Sequence, residues 1–246
     1  MPFPLAHPAA VLPFRRWCPK YLDFPALIIG SVTPDLAASI DDWEYFSHTI
    51  LGTFVFCLPV GLATIWIFRR VRTPIVSTFP NPHRHTLLPL CAGTRNSLFN
   101  VIISLLFGSW LHLTWDLFTH DHSWLVQHVA FFSIPVAGVP LNHLLWLLSS
   151  LVGSLLLLAM YVRMLQRGNA PIDVFVSFES RAYALWCGIL LFPLSFAVPL
   201  ALNEAKPGYA ASSLIRYLAM YYLGYAYLTL AFAGLFLKSR PPTADR

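Results

Sequence analysis

Residues 97–120 read SLFNVIISLLFGSWLHLTWDLFTH. From Ser97 to Phe118 the run is almost wholly apolar, and a helix needs roughly 20 such residues to cross a bilayer. If the run is helical, His112, Asp116 and His120 recur every four residues and lie close to one face, one turn above another. Two imidazoles and a carboxylate at the end of an apolar helix are expensive to desolvate. They need partners: a metal, each other, or trapped water. The pattern is read here as metal binding.

The rest of the chain agrees with a membrane setting. It has 246 residues, 57% hydrophobic and only 11% charged, with a mean hydropathy of +0.63. A soluble domain is about 45–50% apolar and about 25% charged. The net charge of +5 is strung out between apolar runs and forms no patch, which argues against nucleic acid as a partner and for loops beside an anionic leaflet. Cys18, Cys57, Cys91 and Cys187 are isolated, with no CxxC, so neither a redox motif nor a thiolate zinc site is expected. Met1 to Phe14 carries no Lys or Arg, unlike a signal peptide, so the N-terminus is expected to be retained.

The expected fold is all-α: a polytopic bundle of about five full spans plus a short N-terminal helical hairpin. The spans are Ile50 to Phe68, Ser97 to Phe118, Leu141 to Leu165, Ala182 to Leu202 and Ser213 to Leu237. One membrane-embedded domain covers 1–237, with the hairpin in 1–40, a core carrying the metal site in 49–165 and the C-terminal spans in 182–237. Residues 238–246 form a polar tail with no reason to fold. The hairpin consists of Pro4 to Phe14 and Phe24 to Ile40 around a basic turn of Arg15, Arg16 and Lys20, and it brings His7 towards Asp35. Asp41 to Ser47 and Pro74 to Arg95 read as loops, and Asp121 to Pro140 as interfacial.

The basic residues set the orientation. Arg69 to Arg72, Arg84, Arg95, Arg163, Arg167, Arg181, Lys238 and Arg240 fall on one side when the spans alternate, and Arg15, Arg16 and Lys20 join them if the hairpin dips in from the opposite face. That side is expected to be cytoplasmic, with the C-terminus on it; Lys206 and Arg216 are exceptions. The other face collects His7, Asp35, His48, His112, Asp116 and His120, and these six are the candidate metal ligands. Nitrogen and oxygen donors suit zinc first, then manganese or iron. Six exceed what one tetrahedral zinc needs, so a two-metal centre for phosphoester hydrolysis enters the reckoning, with metals about 3.5–4 Å apart. A metal-activated water would be the nucleophile, and Glu44 or Asp42 the nearest candidate general base.

Blander accounts exist for each. His7 or His48 alone reads as an interfacial residue, and His112, Asp116 and His120 could form a hydrogen-bonded seam between helices. His83 and His85 read as solvated, His128 and His143 as interfacial, and Trp43, Tyr45, Trp115, Trp124 and Tyr209 as interface anchors.

Several blocks carry a resemblance: Met1-Pro2-Phe3 with His7 to Pro13, Gly30 to Asp35, Glu44-Tyr45-Phe46, Ser47 to Gly52, Ser109 to Asp121, and Leu148 to Gly153. Together they resemble an uncharacterised family of bacterial multi-pass membrane proteins, a domain of unknown function. That family is similar in turn to the predicted membrane-bound metal-dependent hydrolases. Those share an early His, a Pro-Asp, a Thr-His-Ser or Ser-His-Thr, and a His-x-x-x-Asp, matched here by His7, Pro34-Asp35, Ser47-His48-Thr49 and His112/Asp116. The larger group often adds an Asp two residues after the Pro-Asp and a His-Arg before the Thr-His; this chain has Ala37 and no His-Arg there. The resemblance implies a bacterial cytoplasmic-membrane location and a metal site.

The expected function is therefore metal-dependent hydrolysis of a lipid or lipid-linked ester, in particular a phosphoester, at the non-cytoplasmic face, with membrane lipids as the surroundings. The alternative from another class is a non-enzymatic transporter in which the same His/Asp cluster relays protons or a metal ion. A transporter should show broken helices at mid-membrane or an inverted repeat; Pro59 and Pro193 fall at mid-span, but no repeat is visible. A third reading is a membrane scaffold with a structural metal.

Overall fold

In a bilayer every backbone N–H and C=O must be satisfied inside the chain, and apolar segments of this length do so as helices. The computed structural model is all-α by that logic. Residues 4–39, 41–92, 96–168, 180–204 and 211–237 are described. Five stretches are long and apolar enough to cross a membrane: Ile50–Ser77, Leu98–His128, Leu141–Arg167, Ala184–Asn203 and Tyr217–Phe236. The molecule is an integral membrane protein. Its large exposed side chains, such as Leu151, Leu155, Leu156 and Leu158 on one helix, have lipid as their solvent.

The chain packs as two compact units. The first, residues 1–65 and 94–163, opens with a 3₁₀ helix, Pro4–Trp17, then α1, Phe24–Gly30, a second 3₁₀ helix, Thr33–Ser39, and α2, Asp41–Ser47. Next come α3, Ile50–Gly52, a π-helical turn, Thr53–Cys57, and the start of α4, Leu58–Ser77. The second unit, 66–93 and 164–246, contains α5, His83–Cys91. The first unit resumes with α6, Leu98–Thr119, and α7, Trp124–His128. A two-residue hairpin follows, β1 (Pro135–Val136) against β2 (Val139–Pro140). Its turn residues Ala137 (φ 53°) and Gly138 (φ 82°) both take positive φ, as a tight hairpin turn demands. Then comes α8, Leu141–Arg167. In the second unit α9, Ser180–Glu204, packs on α10, Ala211–Phe236.

The N-terminal hairpin is present, but its second arm is two helices, α1 and the 3₁₀ turn carrying Asp35. Two expected loops are corrected. Asp41–Ser47 is a helix, because Trp43 and Phe46, three residues apart, stack edge to face (5.7 Å) and Trp43 also meets Phe56 (5.6 Å). The described part of Pro74 to Arg95 is largely helical: α4 runs through Pro74 to Ser77, and α5 covers His83–Cys91. The prolines fall at helix ends, where a missing N–H or a lost bond matters least. Pro82 caps α5, its carbonyl accepting from the Thr86 hydroxyl at 2.9 Å. The tail expected over 238–246 lies outside the described residues.

Two clusters make the core of the first unit. Ala26, Ile65, Val101 and Leu105 form one; Val11, Leu22 and Leu27 form the other, with Phe107 and Leu111 against it. Both lie where α1 meets α6, and that contact positions the site.

Candidate metal centre

Without a hydrophobic drive between helices, membrane packing relies on small residues and hydrogen bonds. The α1–α6 contact has both. Asp23 caps α1, its carboxylate accepting from the Ala26 N–H at 2.9 Å. Its own N–H donates to Ser104 Oγ at 2.8 Å. At the other end of α1, the Ser109 hydroxyl lies 3.1 Å from the Gly30 carbonyl and 3.0 Å from that of Leu105. Between these pins the backbones touch: a Cβ on Gly30 would fall onto the Leu105 carbonyl, and one on Gly108 onto the Leu27 carbonyl. Ser104, Gly108, His112 and Asp116 thus follow one another along a buried face of α6 at four-residue spacing.

Docking α1 this tightly delivers the next carbonyl, that of Ser31, to His112 Nδ1 at 2.8 Å. A carbonyl only accepts, so Nδ1 carries the proton and Nε2 faces the other way. The same device acts on His48. Its Nδ1 lies 2.7 Å from the Glu44 carbonyl and 3.1 Å from Ser47 Oγ, so its Nε2 is also turned inward. The one hydroxyl proton of fully buried Ser47 is shared between the carbonyls of Pro34 (3.0 Å) and Glu44 (2.9 Å), tying the loop of His48 to that of Asp35. Trp110 Nε1 donates to Thr53 Oγ1 at 3.2 Å, holding α6 to the π-helical turn. Such turns often accompany functional sites.

The two Nε2 atoms meet at 3.3 Å. His112 Nε2 is 3.4 Å from Asp35 Oδ1 and 3.1 Å from Asp116 Oδ2; His48 Nε2 is 3.6 Å and 3.5 Å from the same oxygens. His7 stacks on His112 (3.9 Å between centroids, 23° between planes) and points Nε2 at Asp35 Oδ2, 3.8 Å away. His7, Asp35, His112 and Asp116 are buried; the His48 side chain is 22% exposed and forms the open edge. His7 Nε2 and both carboxylate oxygens of Asp35 and of Asp116 have no hydrogen-bond partner. Burial, and after it the charge of His112, push His7 down to about 4, so it is neutral at pH 7. Burial alone would raise Asp35; the charge of His112, whose Nε2 stands 3.4 Å from Oδ1, outweighs it and holds the carboxyl well below the usual range.

Five buried polar atoms, four of them carboxylate oxygens, converge here without a hydrogen-bond partner. A single added proton can serve one or two of these contacts, whereas a dication can serve several at once. Four donors set tetrahedrally at ~2.0–2.1 Å from zinc stand ~3.3–3.4 Å apart. The five imidazole–imidazole and imidazole–carboxylate separations in the His48, His112, Asp35 and Asp116 set run from 3.1 to 3.6 Å. Two overlapping triads are close enough to share an ion, His7/Asp35/His112 and His48/His112/Asp116. The donor set fits a divalent metal.

Five of the six candidate ligands therefore come together. His120 stands beside them: α6 ends at Thr119, and His120 Nδ1 turns to the Asp116 carbonyl (3.2 Å) and Thr119 Oγ1 (3.1 Å), with Asp116 Oδ1 at 3.5 Å. Glu44 contributes its main-chain carbonyl to His48. The side chain of Asp42 lies outside the described residues. His143, expected as interfacial, pairs with Asp121 at 2.9 Å, and buried Asn142 donates to the same carboxylate at 2.6 Å, joining the end of α6 to the start of α8. The sequence reading placed Ser31, Ser47 and Ser109 in its matched blocks but gave them no positioning role; for Ser109 the Ser104/Gly108/His112/Asp116 spacing marked the buried face of α6 beside it.

No curated protein and no solved structure is detectably similar to the chain. The sequence model of the family described as "Domain of unknown function (DUF4184)" matches residues 1–235, and the chain belongs to that family.

Proposed function

We propose that the cluster binds a divalent metal, zinc first and manganese or iron next, and that the protein is a membrane-bound metal-dependent hydrolase. Its substrate would be a lipid or lipid-linked ester, in particular a phosphoester. It would work at the non-cytoplasmic face of a bacterial cytoplasmic membrane, with the C-terminus on the cytoplasmic side. The observation that carries the metal is the meeting of two Nε2 atoms at 3.3 Å between two carboxylates without a hydrogen-bond donor. A bound divalent ion supplies Lewis-acid polarisation of an ester or phosphoryl oxygen and activation of water. The chain's own part is to keep both imidazoles in the ligating tautomer through the Ser31 and Glu44 carbonyls, and to admit substrate past the partly exposed His48. The sequence resemblance to the predicted membrane hydrolases supports the metal more than any one reaction.

A closed, structural site is the second reading, favoured by the 3.1–3.6 Å separations between the two imidazoles and from each imidazole to both carboxylates. Three protein ligands leave a position for water or substrate; four fill it. Elemental analysis of the detergent-purified protein beside His112→Ala tests the metal: stoichiometric metal in the wild type that vanishes in the variant is expected, and none in either after metal is supplied removes the reading. Turnover of a panel of lipid phosphoesters by the loaded protein then supports the enzyme. Full occupancy with no turnover across the panel leaves the structural site.

A further inference from the structure

At the other end of α6, independent of the metal reading, lies a groove of about 510 Å³ walled by Trp17, Tyr21, Leu22, Phe99, Ile103 and Phe107. That is within the ~300–1,000 Å³ usual for ligand clefts. It is built in rather than left over. The turn forming one wall is tied to α6 by the Asn100 amide donating to the Lys20 carbonyl (3.4 Å) and by the Asp23 N–H on Ser104 Oγ (2.8 Å). Phe14 meets Phe107 edge to face at 4.8 Å nearby.

Cations stand on the aromatic wall. Arg16 lies 5.4 Å over the Trp17 ring and Lys20 4.8 Å over the Tyr21 ring, with Arg15 over Phe24 at 5.5 Å. Asp23, the nearest carboxylate in sequence, is buried and accepts from the Ala26 N–H and the Asn96 amide. Phe99, Ile103 and Phe107 extend the apolar floor ~12 Å along the helix, while Trp17, Tyr21 and Phe99 are exposed. The order is positive charge at the mouth, aromatic belt, then apolar floor, which is the order of an anionic phospholipid from headgroup to tail.

We propose that this groove is a binding site for one anionic phospholipid, its acyl chain along Ile103 and Phe107 and its phosphate held by Arg16 and Lys20. By helix rise His112 lies ~20 Å along α6 from Phe99 at the mouth and ~8 Å beyond Phe107 at the inner end of the floor, so the headgroup end of the groove and the metal cluster lie towards opposite ends of α6.

Native mass spectrometry of the full chain in detergent, offered phosphatidylglycerol or phosphatidylcholine with the same acyl chains, tests this. Wild type should retain phosphatidylglycerol in preference by roughly thirtyfold, the factor two interfacial cations supply. The exposed pair Arg16→Gln/Lys20→Gln should lose that preference, whereas Arg163→Gln/Arg167→Gln should keep it. Ile103→Trp, which fills the groove, should reduce retention of both lipids. Thermal melts identify any variant that does not fold, and the Arg16/Lys20 pair, wholly at the surface, decides the matter if Ile103→Trp is lost. Equal retention of the two lipids by wild type overturns the proposal, as does a preference that survives in Arg16→Gln/Lys20→Gln or disappears in Arg163→Gln/Arg167→Gln.

Discussion

α6 and α8 are both long apolar helices, and both qualify as spans. They differ in what they bury: 39% of the apolar window containing α6 is buried against only 6% of that on α8. α6 hides Ser104, Gly108, Ser109, His112, Asp116 and Thr119, whereas α8 hides Asn142 and Gly153 and gives its leucines to lipid. Hydropathy records whether a helix tolerates lipid. It does not record whether the helix has a partner, because in a bilayer leucine gains little by leaving lipid for protein. The small and polar residues carry that information, and on α6 they also carry the chemistry.

The comparison breaks most sharply at Gly108. Gly108→Leu drives a side chain into the Leu27 carbonyl, where backbone cannot yield as a core side chain does. The loss should exceed the ~1–3 kcal/mol of ordinary overpacking and abolish the monodisperse folded peak in size-exclusion chromatography. Leu151→Ala on α8, 58% exposed, should leave both peak and melting temperature unchanged. A folded, metal-binding Gly108→Leu protein would show that the α1–α6 contact does not make the site.

The buried carboxylates give the next largest effect. Chelation should lower the melting temperature of loaded wild type, since an ion at a hundred times its Kd contributes about 2.7 kcal/mol. Asp35→Asn should remove that metal-dependent rise. In the metal-free protein the same variant removes an anion that the neighbouring His112 holds well below the usual carboxylate range, so it should be destabilising there too, on the order of 1–3 kcal/mol. Melts with and without metal separate the two losses. A metal-free Asp35→Asn protein more stable than metal-free wild type would mean that Asp35 is an uncompensated buried charge until the ion binds.

Gly153 offers a smaller test, because it is where α8 does have a partner. Its Cβ position is 3.0 Å from the Ala6 carbonyl, next to His7. Gly153→Val should shift the 3₁₀ helix by a few tenths of an ångström and weaken metal binding several-fold while leaving the fold intact, read by competition with a chromophoric chelator. Unchanged affinity would place His7 outside the ligand set.

The spans were legible because apolar length is a one-dimensional property: Ser97 to Phe118 differs from α6 by one residue at each end. Prolines misled over Pro74 to Arg95, since a proline in a helix's first or last turn looks the same in sequence as one in a loop. The four-residue repeat marked His112 and Asp116 correctly as one buried face. It overextended to His120, because the helix ends at Thr119 and His120 takes extended angles, φ −103° and ψ 132°. The carbonyls that fix both imidazoles were not legible at all. Ser31 and Glu44 act through main-chain atoms, whose direction follows from the close packing at Gly30 and Gly108 and leaves no trace in side-chain type.

The finest version of the comparison uses one hydroxyl from each helix. Ser109 reaches across to the Gly30 carbonyl of α1 as well as to its own helix. Ser149 on α8 bonds the Trp146 carbonyl of its own helix at 3.1 Å, a contact that survives when tertiary structure is lost. Ser109→Ala should therefore cost about 0.6 kcal/mol, the average for a hydrogen bond between membrane helices, and Ser149→Ala close to nothing. Both should retain full metal, because the Ser31 carbonyl on His112 is held by the glycine contact and not by the hydroxyl. Unfolding in mixed micelles can separate the two values. Equal losses would mean that the Ser109 bond to α1 adds nothing beyond its bond to Leu105, and that the small residues alone bring α1 and α6 together.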